Sequence, residues 1–142
     1  METNNELLNE RYIFDRVVNW NVKRDNTAFK HELETQMLAE ELFEFCGYER
    51  KRAKELGIDF ANIHSVDGMT LILADTDIIS ELADAAGDLI FIAIGTISKL
   101  GLDPYEVVKK ICDHNDAKGS KKDAQGKIVK DADFVEPIHE VQ

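Results

Sequence analysis

The chain has 142 residues, enough for one domain with its own core, and is 44% hydrophobic and 32% charged, the balance of a water-soluble protein. A formal net charge of -11 argues against non-specific binding to nucleic acid or anionic membranes, and leaves room for a small polyanionic substrate whose charge a bound cation offsets. The first residues, METNNELLNE, are polar and acidic, unlike a secretory signal, and no apolar run reaches the ~20 residues that span a bilayer, so a cytoplasmic protein without a membrane partner is expected.

In chain order, a first helix is predicted from about Leu7 to Val22, with an apolar face at Leu8, Tyr12, Val17 or Val18, and Trp20. The segment 23–27 reads as a connection. A long second helix is predicted from about Ala28 to Leu56, with Leu33, Met37, Leu38, Leu42, Phe45 and Cys46 at helical spacing, Gly47 as a kink or close contact, and Gly57 as its C-cap. Residues 58–70 read as a long connecting loop, of the kind that borders a site. A third helix is predicted from 75–77 to Leu100, closed by Gly101. Asp103-Pro104 then reads as an N-cap followed by proline in the first helical position, opening a fourth helix to about His114. Beyond Asp116 the helical period stops, and Ala124-Gln125-Gly126-Lys127 reads as a turn between short extended pieces. The expected fold is all-α: a bundle of four to five helices forming a single domain over 1–142, with its core at about 7–115 and an irregular or hairpin-like tail over 116–142.

Two acidic clusters carry the chemistry. Glu40, Glu41 and Glu44 lie on the second helix, and Glu81, Asp84 and Asp88 share one face of the third. The third helix continues as Leu89-Ile90-Phe91-Ile92-Ala93-Ile94, apolar all round, which predicts that its acids point inward. Buried carboxylates persist when they are paired or bind a metal. Glu41 with Glu44 and Glu81 with Asp84 are each three apart, and two antiparallel helices would bring both pairs around one ion. Oxygen ligands without His or Cys favour Mg²⁺ or Mn²⁺, which bind substrate phosphates and activate water with a further carboxylate as base. The competing reading of a Glu-rich helix face is simple solvation, and it weighs more on the first cluster than on the second.

Other constellations are weaker. The one Glu-x-x-His spacing, Glu136 to His139, is interrupted by Pro137 and lacks the helices of a di-iron bundle. Gly119 to Lys127 has the wrong spacing for a phosphate-binding loop. The four histidines are dispersed, and Cys46 and Cys112 read as buried small hydrophobes. The tail lysines are either a solvated terminus or, with Asn115 and Lys118 on one face of the helix end, contacts for a base or phosphate. Trp20 reads as core unless the first helix lines a nucleotide pocket.

Glu40-Glu41-Leu42-Phe43-Glu44 followed by Glu81-Leu82-Ala83-Asp84 resembles the EExxE…ExxD signature of the all-α nucleoside triphosphate pyrophosphohydrolases, which include MazG, phosphoribosyl-ATP pyrophosphohydrolase and the dimeric dUTPases. The run ELADAAGDLIFIAIGTISKLGLD and the later HNDAKG and GKIVK resemble the MazG-like branch, and the likeness covers about residues 30 to 137. The gap between the two signatures is long, which suggests an enlarged loop at 57–75. The resemblance implies that Glu41, Glu44, Glu81 and Asp84 hold Mg²⁺ (Mn²⁺ as a substitute) and that Glu40 binds a second ion or orients the attacking water. It further implies that Asp88 lies near the sugar or base, and that Asn115 and Lys118 contact the nucleotide. The implied reaction is cleavage of the α–β phosphoanhydride of a (d)NTP to a monophosphate and pyrophosphate, in a homodimer or homotetramer. The alternatives are activity on phosphoribosyl-ATP and a non-catalytic nucleotide-binding bundle. Independently of the resemblance, burying Leu89 to Ile97 on all sides calls for a partner subunit.

Overall fold

The computed structural model describes residues 4–46, 76–130 and 133–141. Among them are four helices and no strand: α1 (Asn4–Lys23), α2 (His31–Phe45), α3 (Thr76–Lys99) and α4 (Pro104–Asp116). The expected all-α class and the four helix positions hold. The continuation of α2 to Leu56, the Gly47 kink, the Gly57 cap and the loop at 57–75 lie outside the described residues.

The chain forms two compact units, one of residues 1–27 with 97–142 and one of 28–96. In the first, α1 packs on α4. Phe14 meets the Tyr105 ring edge-on at 5.9 Å, the Arg11 guanidinium lies 4.4 Å over the same ring, and the Tyr105 hydroxyl donates to Glu10 at 2.5 Å. Arg11 also bridges Asp103 at 2.8 Å and Glu106 at 3.2 Å. The buried face of α1 is therefore carried by Phe14, Val17 and Asn21, and the expected Tyr12 and Trp20 are exposed. The reason is polar: Glu10 and Arg11 are recruited to Tyr105 and Asp103, which turns Tyr12 and Trp20 outward. Asn21 is satisfied in its buried position by Val17 O and by the Asn26 amide.

Local chemistry sets the helix ends. The Asp103 side chain accepts from Tyr105 N at 3.0 Å, with Pro104 in the first turn, as the sequence predicts. Gly101 has φ +82, and the bonds Gly101 N to Ser98 O and Leu102 N to Ile97 O close α3 in a Schellman motif. A side chain there is doubly disfavoured, since a Cβ would also lie 3.1 Å from Val141.

The tail after α4 is fastened to it. His114 Nδ1 lies 2.7 Å from Val135 O, Lys110 donates to Ile138 O at 3.1 Å, and Lys118 and Lys130 lie 5.0 and 5.3 Å over the Phe134 ring. An isolated antiparallel bridge between Lys122 and Ile128, with Gly126 at φ +86, makes the expected turn. Cys46 is buried, with burial pushing its thiol pKa up, but Cys112 is exposed, contrary to expectation, because it falls on the outer face of α4.

In the second unit, α2 and α3 run antiparallel. Glu34 bonds Thr96 and Glu41 feels Asp88, so residue numbers rise along one helix as they fall along the other. Ala85, Ile94 and Gly95 are buried, with Leu82, Ala86 and Leu89 half-buried beside them. The all-round apolar run is not covered on every side within one chain, since Ile90 is 61% exposed.

Candidate active site

Glu40 and Glu41 are half-buried on the third turn of α2, and Glu44 is exposed one turn later. Glu81, Asp84 and Asp88 are all exposed. The inward orientation expected of them is thus incorrect for the single chain. The face that sinks is Leu82, Ala85 and Leu89, one residue on, and one residue is about 100° around a helix. Among the described residues, no group of three or more His, Cys, Asp or Glu side chains is drawn tightly enough to enclose a metal ion.

The α2 acids and Asp88 nevertheless form one electrostatic unit. The Glu41 carboxyl pKa is pushed up to about 7, first by burial, then by the charges of Glu44 and Asp88, with a carboxyl–carboxyl hydrogen bond to Glu44 and the charge of Glu40 adding to it. Its Oε2 is sealed from solvent and accepts no hydrogen bond. A buried oxygen without a donor, among like charges, is a position at which a cation lowers the energy. Four carboxylates and no nitrogen or sulfur ligand suit a hard divalent ion. Asp88 is the α3 acid whose charge acts on Glu41, whereas Glu81 and Asp84 lie two turns and one turn nearer the start of α3.

Trp20, Asn115 and Lys118 belong to the other unit. Trp20 is 41% exposed, with the Arg24 guanidinium 4.2 Å over its ring, so it is no core residue. Asn115 is exposed in the last turn of α4, and Lys118 follows it, half-buried. That unit also holds a cavity of about 500 Å³ lined by Arg11, Asp103, Glu106, Lys110, His139 and Glu140. Its lining is mixed in charge and largely engaged, with Arg11 on Asp103 and Glu106 and Lys110 on Ile138 O, so it is not a carboxylate site for an ion.

One residue escapes sequence reasoning. Glu34 is the most buried charged side chain described, 2% exposed, and accepts a 2.5 Å hydrogen bond from Thr96 Oγ1. Its spacing of seven from Glu41 was the available signal.

The phosphoribosyl-ATP pyrophosphohydrolase family model matches residues 10–115, a span that takes in both acidic clusters and Asn115. Comparison with curated proteins and with solved structures gives no match. Paired acids on antiparallel helices and the extent of the family match lead to one assignment: the chain belongs to the phosphoribosyl-ATP pyrophosphohydrolase family, within the all-α MazG-like superfamily, and is a hydrolase acting on phosphoanhydride bonds.

Proposed function

We propose that the protein is a Mg²⁺-dependent pyrophosphohydrolase that cleaves the α–β phosphoanhydride of a nucleoside triphosphate, releasing a nucleoside monophosphate and pyrophosphate. The observation that carries this reading is the sealed, donorless Oε2 of Glu41 amid the charges of Glu44, Asp88 and Glu40. Glu41 and Glu44, with Glu81 and Asp84, would hold the ion, and Mn²⁺ would serve in its place. When bound, the ion neutralises the phosphate oxygens and acidifies water.

The chain's own groups supply the rest. Glu40 holds the attacking water and takes its proton as water adds across the α–β bond, and pyrophosphate leaves. Asp88 faces the sugar or base, and Asn115 and Lys118 contact the nucleotide, with Trp20 as a stacking surface. The working form is a homodimer or homotetramer in the cytoplasm. Among the described residues, no single helix is long and apolar enough to cross a membrane.

A second reading, phosphoribosyl-ATP as the substrate, is favoured by the description of the matched family. It uses the same bond and the same acids. A non-catalytic nucleotide-binding bundle is disfavoured by the intact acid set.

The test is pyrophosphate release from a panel of dNTPs, NTPs and phosphoribosyl-ATP, with Mg²⁺ and with EDTA, identifying the nucleotide product. Metal-dependent monophosphate formation is expected, and the ranking selects between the two substrates. Release of inorganic phosphate instead, or no release from any of them, overturns the proposal.

A further inference from the structure

Glu34 has no part in the reaction proposed above, yet it is the most deeply sunk charge described, 2% exposed. Charged residues rarely lie at such positions without a specific role. Its Oε2 is 2.5 Å from Thr96 Oγ1, which itself lies 3.0 Å from Ile92 O. Thr96 interrupts the otherwise apolar run from Leu89 to Ile97 of α3.

The pair sits on the seam that carries the acids. Glu34 and Glu41 are seven residues apart on α2, and Thr96 and Asp88 eight apart on α3. At about 1.5 Å per residue these are nearly equal lengths, roughly 10 and 12 Å, along antiparallel axes. The bond therefore lies about two turns below the place where Glu41 meets the field of Asp88.

The rest of the seam does not set that alignment by itself. Met37, Leu38 and Leu42 are only half-buried, and Leu33 and Phe45 are exposed. Apolar contacts of this kind have no direction, and methionine adapts to many partners. A slip of one residue moves a side chain about 1.5 Å along the axis and about 100° around it, whereas cation–oxygen distances tolerate only about 0.2 Å. A buried hydrogen-bonded pair that specifies register is the best-attested use of internal polar groups.

We infer that Glu34 is a positioning residue for the carboxylate site: its hydrogen bond with Thr96 fixes the register of α2 against α3, and with it the placement of Glu41 and Glu44 relative to the α3 acids. This rests on the proposed metal-dependent hydrolysis.

The experiment separates register from stability. In the double variant Glu34→Leu/Thr96→Val, both members of the hydrogen bond are replaced together, so neither is left buried by the loss of the other. Expected is a Tm within about 4 °C of wild type, together with a half-activating Mg²⁺ concentration raised about tenfold or more, the range seen when groups orienting metal ligands are removed. Thr96→Ser, which keeps the hydroxyl, should stay within about twofold of wild type on the same scale. A double variant that is stable and shows wild-type Mg²⁺ activation overturns the inference, as does Thr96→Ser behaving like the double variant. If the double variant unfolds, the single Glu34→Gln, which retains hydrogen-bonding capacity, decides by the same criterion as Thr96→Ser. A wild-type protein that needs no divalent ion removes the functional reading, and the inference with it; that failure is read on the unmutated enzyme.

Discussion

Glu41 holds its proton more tightly when folded than when unfolded, because burial and the Glu44 and Asp88 charges oppose ionisation. The sign follows. Relative stability is fully present below the ordinary carboxylate range, near 4.3, and is lost as pH rises through the folded value of about 7. Metal-free protein should therefore weaken between about pH 4.5 and 8, and Glu41→Gln should flatten that slope. For a half-buried group screened by solvent, the gain at pH 8 in EDTA is on the order of 1 kcal/mol. Turnover should fall at least ~100-fold in the same variant. Urea titrations at pH 5 and 8, paired with a pyrophosphate assay, check both, and a variant that matches wild type in stability slope and rate removes Glu41 from the site. At this scale the acids were legible in the sequence as two clusters of regular spacing. The asymmetry among them was not, because it depends on which face of α3 sinks. Glu34 was hidden for a related reason: a glutamate reads as solvent-facing unless its partner across the seam is known.

Helix starts and stops were the most legible feature, since caps are local chemistry. Asp103, Pro104 and Gly101 do in the structure what their types and order imply. The face of α1 was misread because two polar residues, Glu10 and Arg11, are drawn to Tyr105 and Asp103 some 90 positions away, which no periodicity in α1 encodes. Asp103 does two things at once, capping α4 and anchoring Arg11. Loss of the cap costs about 1 kcal/mol and can reach 2. Glu106, the second partner of Arg11, has a side chain 44% exposed, and such surface pairs contribute well under about 1 kcal/mol. Asp103→Ala should accordingly destabilise by about 1–2 kcal/mol in urea denaturation, and Glu106→Ala by less than about 0.5. Equal costs would mean that the cap bond is not formed in solution.

At the scale of the whole molecule, the apolar helix is under-covered. Ile79 is 47% and Ile90 61% exposed on α3, and no large side chain among the described residues is fully buried. An apolar helix that leaves Ile79 and Ile90 open to water is an invitation to self-association, since exposed apolar patches mark interaction surfaces. In a closed dimer the same patch meets itself, so one substitution acts twice. A chain that works alone would accept glutamate at Ile90 almost freely, because surface changes usually cost within about 0.5 kcal/mol. A chain whose α3 is covered by a second copy would not, as each interface would then bury two unpaired charges. Wild type should sediment as a multiple of 16.1 kDa, with a Tm that rises with protein concentration. Ile90→Glu should shift the mass to the monomer and abolish that concentration dependence. Its rate at saturating Mg²⁺ then says whether the acid site is complete in one chain: a retained rate places all the catalytic carboxylates within the subunit, and a rate that falls with the mass means that the second copy helps to build the site. A wild type that is monomeric at micromolar concentration, with unchanged Tm in Ile90→Glu, would dismiss the dimer and leave the exposed face of α3 without that explanation.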